Sequence, residues 1–348
     1  MHTARKIVAT LACLLALLAN PTSAAYVQLT VFGDSLADAG NLFLLTGGAF
    51  PPTPPYAVRL SNGPTAVEVL AARLGLPLTP SLAGGRDYAI GGAETGTGNL
   101  LSVLPLVPPA INQLFSDPNF PPTGVLAQLQ AFNGTLSPQG LTVLWAGPND
   151  IFTAIFSGQD PSAVIQPAVD NLAQAIATLY AAGATTILVP DMANLGHTPL
   201  GLGFGPATSA LLTALSAEFN ALLAQKLAQL EATKPGLDII EFDTFGFVDA
   251  AIANPAAYGF TNVTDPCFDG VKACLNPDQY IFWDPVHPTA RSHQLLGDAL
   301  AAAVVPEPAT LALLALGLAA LGVRSRRRSG QSGRDIVIGN AESRGKYR

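Results

Sequence analysis

Val27-Gln28-Leu29-Thr30-Val31-Phe32-Gly33-Asp34-Ser35-Leu36 is a short, mostly apolar run that breaks at a glycine. The pattern predicts a buried strand over Val27 to Phe32 and a tight turn that leaves Ser35 just past the strand's carboxyl end. Similar runs recur at Thr142 to Trp145, stopped by Gly147-Pro148, at Thr186 to Val189, and at Asp238 to Phe242. Helical periodicity fills the intervals. Val67, Leu70 and Leu74 share a face of Ala66 to Leu74, and Ile165, Val169, Leu172, Ile176 and Leu179 share one of Val164 to Tyr180. Asp160-Pro161 reads as the cap and first turn of the latter, and Gly183 as its stop. A long helix is expected from Ala207 to Ala232, and Pro288 is expected to open a last one reaching Ala302. Short strands alternating with long helices predict an α/β fold whose parallel sheet is covered on both faces. Ligands of such sheets bind beyond the carboxyl ends of the strands. Ser35, Asn149, Asp150 and Asp191 all fall there.

The chain has 348 residues and a formal net charge of −7. Its basic residues crowd into the tail, from Arg324 to Arg348, which leaves an acidic middle that repels phosphate backbones and argues against nucleic-acid binding. Arg5-Lys6, the apolar run Ile7 to Leu18 and the small residues Thr22-Ser23-Ala24 read as a signal peptide over residues 1–24. The run continues past Cys13, which argues against a lipoprotein box. A single domain is expected over residues 26–303. The proline-rich segments Phe50 to Pro55 and Pro105 to Pro122 are read as loops around its site. Cys267 and Cys274 survive signal removal, and in an oxidising compartment they are expected to form a disulfide, two separate buried thiols being the alternative. No second ligand pair stands beside them, so no metal site is expected.

A serine hydroxyl attacks only when a base takes its proton, the base needs an acceptor to hold its tautomer, and the oxyanion needs fixed donors. Ser35 on its glycine turn is the candidate nucleophile. Trp283-Asp284-Pro285-Val286-His287-Pro288 places an acid three residues before a histidine, so one loop can carry both base and acceptor. Tyr88-Ala89-Ile90-Gly91-Gly92-Ala93 offers a backbone N–H at a glycine, where nothing blocks approach. Gly147-Pro148-Asn149-Asp150 offers the amide of Asn149. His197 and His293 lack an Asp at comparable spacing and are read as structural, and Asp34 and Asp150 as residues that order their loops. No Gly-x-Ser-x-Gly elbow surrounds Ser35.

Taken in order, these four segments resemble the GDSL esterase/lipase family of SGNH hydrolases, in the subgroup of plant lipases, lecithinases and autotransporter esterases. Further support comes from Ala37-Asp38-Ala39-Gly40-Asn41, Arg59-Leu60-Ser61-Asn62-Gly63-Pro64, Leu195-Gly196-His197-Thr198-Pro199 and Tyr258-Gly259-Phe260. The resemblance spans Gln28 to Ala302. It implies a three-layer α/β/α sandwich with a flavodoxin-like sheet and a triad of Ser35, His287 and Asp284. It also implies an oxyanion hole made by the N–H groups of Ser35 and Gly92 and the side chain of Asn149. Asp87 departs from the family, which often has Asn there. The implied activity is hydrolysis of carboxylic esters through an acyl-enzyme, on a lipid or an acylated sugar, with no metal or organic cofactor. The rivals are a carbohydrate O-deacetylase on the same scaffold and a non-catalytic envelope binding protein.

Val305-Pro306-Glu307-Pro308 is followed by an apolar run from Leu311 to Val323 and by Arg324-Ser325-Arg326-Arg327-Arg328. At about 1.5 Å per residue the run falls short of the roughly 30 Å hydrocarbon core. A proline break, an apolar stretch and a basic stop resemble the PEP-CTERM sorting signal over residues 305–328. The resemblance implies an exosortase-type partner and delivery to the periplasm, the outer envelope or the exterior. Residues 329–348 are read as a polar, disordered tail.

Overall fold

A computed structural model describes residues 26–305; the expected signal peptide, the sorting segment beyond Val305 and the polar tail lie outside them. Four parallel strands form the main sheet in the order β1 (Leu29–Gly33), β2 (Leu141–Trp145), β3 (Thr186–Pro190) and β4 (Asp238–Phe242). Leu29 faces Leu141 and Gly33 faces Trp145 across the first pair, and Thr186 faces Asp238 across the last. The outer flank of β1 is also occupied. Val31 donates its N–H to Arg86 O at 3.0 Å, and its own carbonyl accepts from Tyr88 at 2.7 Å, so 86–90 runs beside β1 as a reduced edge. β1 therefore lies between the second and third segments of the chain, the place where the strand order reverses and ligands bind.

Side chains alternate across a strand, so each strand feeds two cores. Val31, Val143 and Leu188 point to one face and meet Val67 and Leu70 of α1 (Ala66–Leu74) and Leu296, Leu300 and Val304 of the C-terminal helix Ala290–Val304. Phe32, Leu144, Ile187 and Val189 point to the other and meet α2 (Ile165–Ala181) and α3 (Pro206–Thr233). The stripe of α2 is the one read from the sequence, Val169, Leu172 and Ile176, and α3 presents Leu212, Leu215, Phe219 and Leu223; all are buried. At its entry α1 is closed by Glu68, whose Oε2 accepts the Thr65 N–H at 2.9 Å, and at its exit by Gly75 in the left-handed region.

One boundary differs from expectation. Pro288 does not open the last helix, α4, which begins at Ala290. Pro288 instead pairs with Phe282 in a β-bridge, and its carbonyl accepts the Ser61 hydroxyl at 2.9 Å. The Asp284–His287 turn is thus pinned at its far end before the helix starts. A short second sheet, β5 (Asn262–Pro266) beside β6 (Tyr280–Phe282), leads directly into that turn.

Candidate active site

The turn after β1 is built around Gly33. A Cβ there would stand 2.2 Å from the Trp145 carbonyl oxygen, so only glycine lets β1 end this close to β2. The buried side chain of Gln128 grips both backbone polar groups of this residue: Oε1 accepts Gly33 N–H at 3.0 Å, while Nε2 donates to Gly33 O at 2.8 Å and to Thr123 O at 3.0 Å. Two residues further on, Ser35 reaches the cavity with 8% of its surface exposed. Its Oγ lies 2.9 Å from His287 Nε2.

On the far side of the ring, His287 Nδ1 lies 2.9 Å from Asp284 Oδ1 and 2.8 Å from Oδ2. Oδ1 also accepts the N–H groups of Val286 and His287 at 2.9 and 2.8 Å, because the Asp-Pro-Val-His turn folds back on its own carboxylate. Burial opposes charge on both groups. For Asp284, the His287 charge and hydrogen bonds outweigh burial and hold the carboxyl below its usual range. For His287, burial pushes down, but the Asp284 charge and hydrogen bond prevail and raise the imidazole, with a smaller contribution from Asp34.

Gly92 and Asn149 line the same cavity of about 370 Å³ as Ser35 and His287. Neither Ser35 nor Gly92 gives its N–H to a partner among the described residues. Gly92 sits at φ +80°, and a Cβ on it would meet Asn99 Oδ1 at 2.3 Å. One amide hydrogen of Asn149 goes to Ala93 O at 2.9 Å; its other one is left to act. The two donor loops are tied together by Asp150, which accepts the Thr95 N–H at 3.0 Å and hydroxyl at 2.7 Å. Burial raises Asp150 to about 7, against the pull of Thr95, and burial likewise raises Asp34 to about 7. The Asp34 Oδ1 accepts the Leu36 N–H at 3.0 Å within the turn that carries Ser35.

Most of the chain matches the family profile described as GDSL-like Lipase/Acylhydrolase, over residues 29–300. The chain belongs to that family. A second profile, the PEP-CTERM protein-sorting motif, matches residues 304–328. GDSL esterase/lipase 6 of Arabidopsis thaliana is 27% identical over 342 residues, covering 83% of this chain and 91% of the relative. Two further proteins named GDSL esterase/lipase from the same plant are each 28% identical, covering 76% and 78% of this chain and 82% and 84% of their own.

Against this family background, the remaining sequence candidates sort clearly. Asp191, although at a strand end, is not brought to the cavity; its Oδ1 accepts the N–H groups of Thr244 and Phe245 at 2.7 and 3.0 Å. His293 is buried, accepts the Ala66 N–H on Nδ1 at 3.1 Å, and is lowered to about 3 by burial and then by His287. His197 does have an acid partner: Asp249, 52 residues away in sequence, lies 2.7 Å from its Nδ1 and braces the 194–198 loop against Thr244–Ala253. Asp87 is fully buried and accepts the Ala39 and Ala89 N–H groups at 2.6 and 3.0 Å; burial, and then Asp38, raise it well above the usual range. Asp38 in turn accepts four N–H groups, that of Gly91 among them at 2.8 Å. Cys267 and Cys274 are joined by a disulfide with Cα atoms 4.9 Å apart, and Phe268 between them lines the cavity.

Sequence reasoning missed Gln128, Asp38 and Tyr56. Asp38 carried a signal, since it stands in the quoted block Ala37-Asp38-Ala39-Gly40-Asn41. Gln128 carried none: it is one glutamine in a helix of ordinary composition, Val125–Ala131. Tyr56 stands at the end of a proline-rich loop, and its hydroxyl reaches Asp284 Oδ2 at 2.9 Å across 228 residues of sequence.

Proposed function

We propose that this chain is an exported serine hydrolase of carboxylic esters. Ser35 attacks the acyl carbon while His287 takes its proton, and Asp284 holds the imidazole in the reactive tautomer. The N–H groups of Ser35 and Gly92 and the free amide hydrogen of Asn149 receive the oxyanion. His287 then protonates the departing alcohol, and water, activated by the same histidine, releases the acid from Ser35. The observation that carries this reading is the unbroken run of contacts from Ser35 Oγ through His287 to Asp284, at 2.9 and 2.8 Å, beside two uncommitted backbone donors.

The cavity favours apolar esters over acetylated sugars. Phe50, Leu60, Leu101, Leu104, Val107 and Phe152 furnish its walls, and such walls gain by covering an acyl chain. The order 86–90, β1, β2, β3, β4 supports a flavodoxin-like sheet within a three-layer α/β/α sandwich. We read residues 1–24 as a signal peptide, 26–303 as the hydrolase domain, 305–328 as the segment an exosortase processes, and 329–348 as a polar tail. The PEP-CTERM match supports delivery to the cell envelope. The deciding experiment is a panel of short and long acyl esters, phospholipids and acetylated sugars run on wild type and Ser35→Ala. The reading expects hydrolysis of simple esters that falls on the order of 10⁶-fold in the variant. An active Ser35→Ala enzyme would refute it.

A further inference from the structure

We propose that Tyr56 is a positioning residue of the relay, its hydroxyl holding Asp284 Oδ2 so that the carboxylate keeps one orientation and a tempered basicity toward His287. The inference rests on the triad reading above and adds a member to it from a different part of the chain.

The two Asp284 oxygens are held by different means. Oδ1 is fixed by the N–H groups of its own turn, at 2.9 and 2.8 Å from Val286 and His287. No backbone N–H of that turn reaches Oδ2, which lies 2.8 Å from His287 Nδ1 and accepts the Tyr56 hydroxyl at 2.9 Å. Without the phenol, Oδ2 would keep the imidazole as its single partner among the described residues, and the carboxyl plane could swing about the Oδ1 anchor. The hydroxyl is suited to the task, since burial and then the Asp284 charge raise its pKa and keep it a donor.

The ring is seated independently of that bond. It meets Phe268 edge-on at 5.7 Å and Trp283 at 6.2 Å, with interplanar angles of 84° and 83°. Trp283 directly precedes Asp284, and Phe268 comes from the disulfide-closed loop. Phe50, Pro52 and Tyr56 of the same proline-rich segment line the cavity beside Ser35. One loop therefore both walls the substrate space and holds the acid.

A hydrogen bond donated to a carboxylate withdraws charge from it. Its loss leaves Asp284 more basic, so the imidazolium is better stabilised and His287 is raised further. The charged groups acting on His287 are Asp284 and Asp34; its own charge acts on His293, and Asp269 lines the same cavity. Tyr56→Phe touches none of these except Asp284, and it retains the ring between Phe268 and Trp283.

The test is Tyr56→Phe in the full chain, read three ways. Thermal melting should stay near wild type. The kcat for a simple ester should fall about tenfold with KM within about twofold. The acid limb of kcat/KM, and the His287 titration followed by NMR on histidine-labelled protein, should both move up by about half a pH unit or more. The NMR arm needs no turnover, so it reads the inference even if the ester reading fails. An unmoved His287 titration overturns the proposal. So does a loss confined to KM, which would make Tyr56 a cavity wall alone.

Discussion

Gln128 offers a demanding test of how the turn that carries Ser35 is held. The residue is 3% exposed, and its side chain makes three hydrogen bonds, two to Gly33 and one to Thr123. In Gln128→Ala, Gly33 O keeps a donor, because Ile90 N–H reaches it at 3.1 Å. Gly33 N–H and Thr123 O lose the partner Gln128 supplied. Two buried orphans at about 1–3 kcal/mol each give a loss of roughly 3–4 kcal/mol, before any cavity cost. At about 2 °C per kcal/mol for a domain of this size, Tm should fall by about 6–8 °C. Gln128→Glu sharpens the test. A carboxylate accepts from Gly33 N–H but opposes two carbonyl oxygens, whereas its protonated form can still donate. The folded pKa of the new Glu is therefore raised above its unfolded value near 4.3. The stability relative to wild type is then fullest below about pH 4 and is lost as pH rises through the folded pKa. Urea denaturation of both variants from pH 4 to 8, with ester turnover in parallel, measures this. If Gln128→Ala melts with wild type, or if Gln128→Glu loses no stability relative to wild type as pH rises, the clamp has no energetic weight.

Asn149→Ala should lower kcat by about 10²–10³ with a smaller effect on KM, because its free hydrogen is worth most in the transition state; a change in KM alone would reject the role. The double change Cys267→Ser and Cys274→Ser should cost about 2–3 kcal/mol for so short a loop, and peptide mapping of non-reduced protein should find the linkage; two free thiols in exported material would contradict it. Asp150 is raised to about 7 by burial, so its contribution to stability is full below about pH 4 and is lost as pH climbs through 7. The penalty of Asp150→Asn should therefore shrink between pH 4.5 and 8, and a penalty that grows instead would make the charged form the working one.

The sheet was legible because each strand is a short apolar run with a hard stop, and each covering helix carries a continuous stripe. Asp238–Phe242 and Ala66–Leu74 coincide with the expected elements, and the other three strands of the main sheet differ from expectation by no more than two residues at either end. The start of α4 was misread because proline favours a helix's first turn. Here Pro288 is bound into a bridge with Phe282, a contact no local pattern reveals. The same holds at the site. Ser35, Gly92, Asn149 and the Asp284–His287 turn lie in short segments whose composition signals a turn or a donor. Tyr56, Gln128 and the His197–Asp249 pair act through side chains that meet only after folding, across 228, 95 and 52 positions. Local periodicity carries no trace of such pairings.

The proposed triad makes Ser35 a nucleophile activated by His287. The most direct measurement is to treat the purified domain with a fluorophosphonate and locate the adduct by mass spectrometry of its peptides. One phosphonyl group on Ser35, formed slowly or not at all in His287→Ala, is the predicted result. An adduct on another residue, or an unlabelled Ser35 in protein that still hydrolyses esters, would contradict the account.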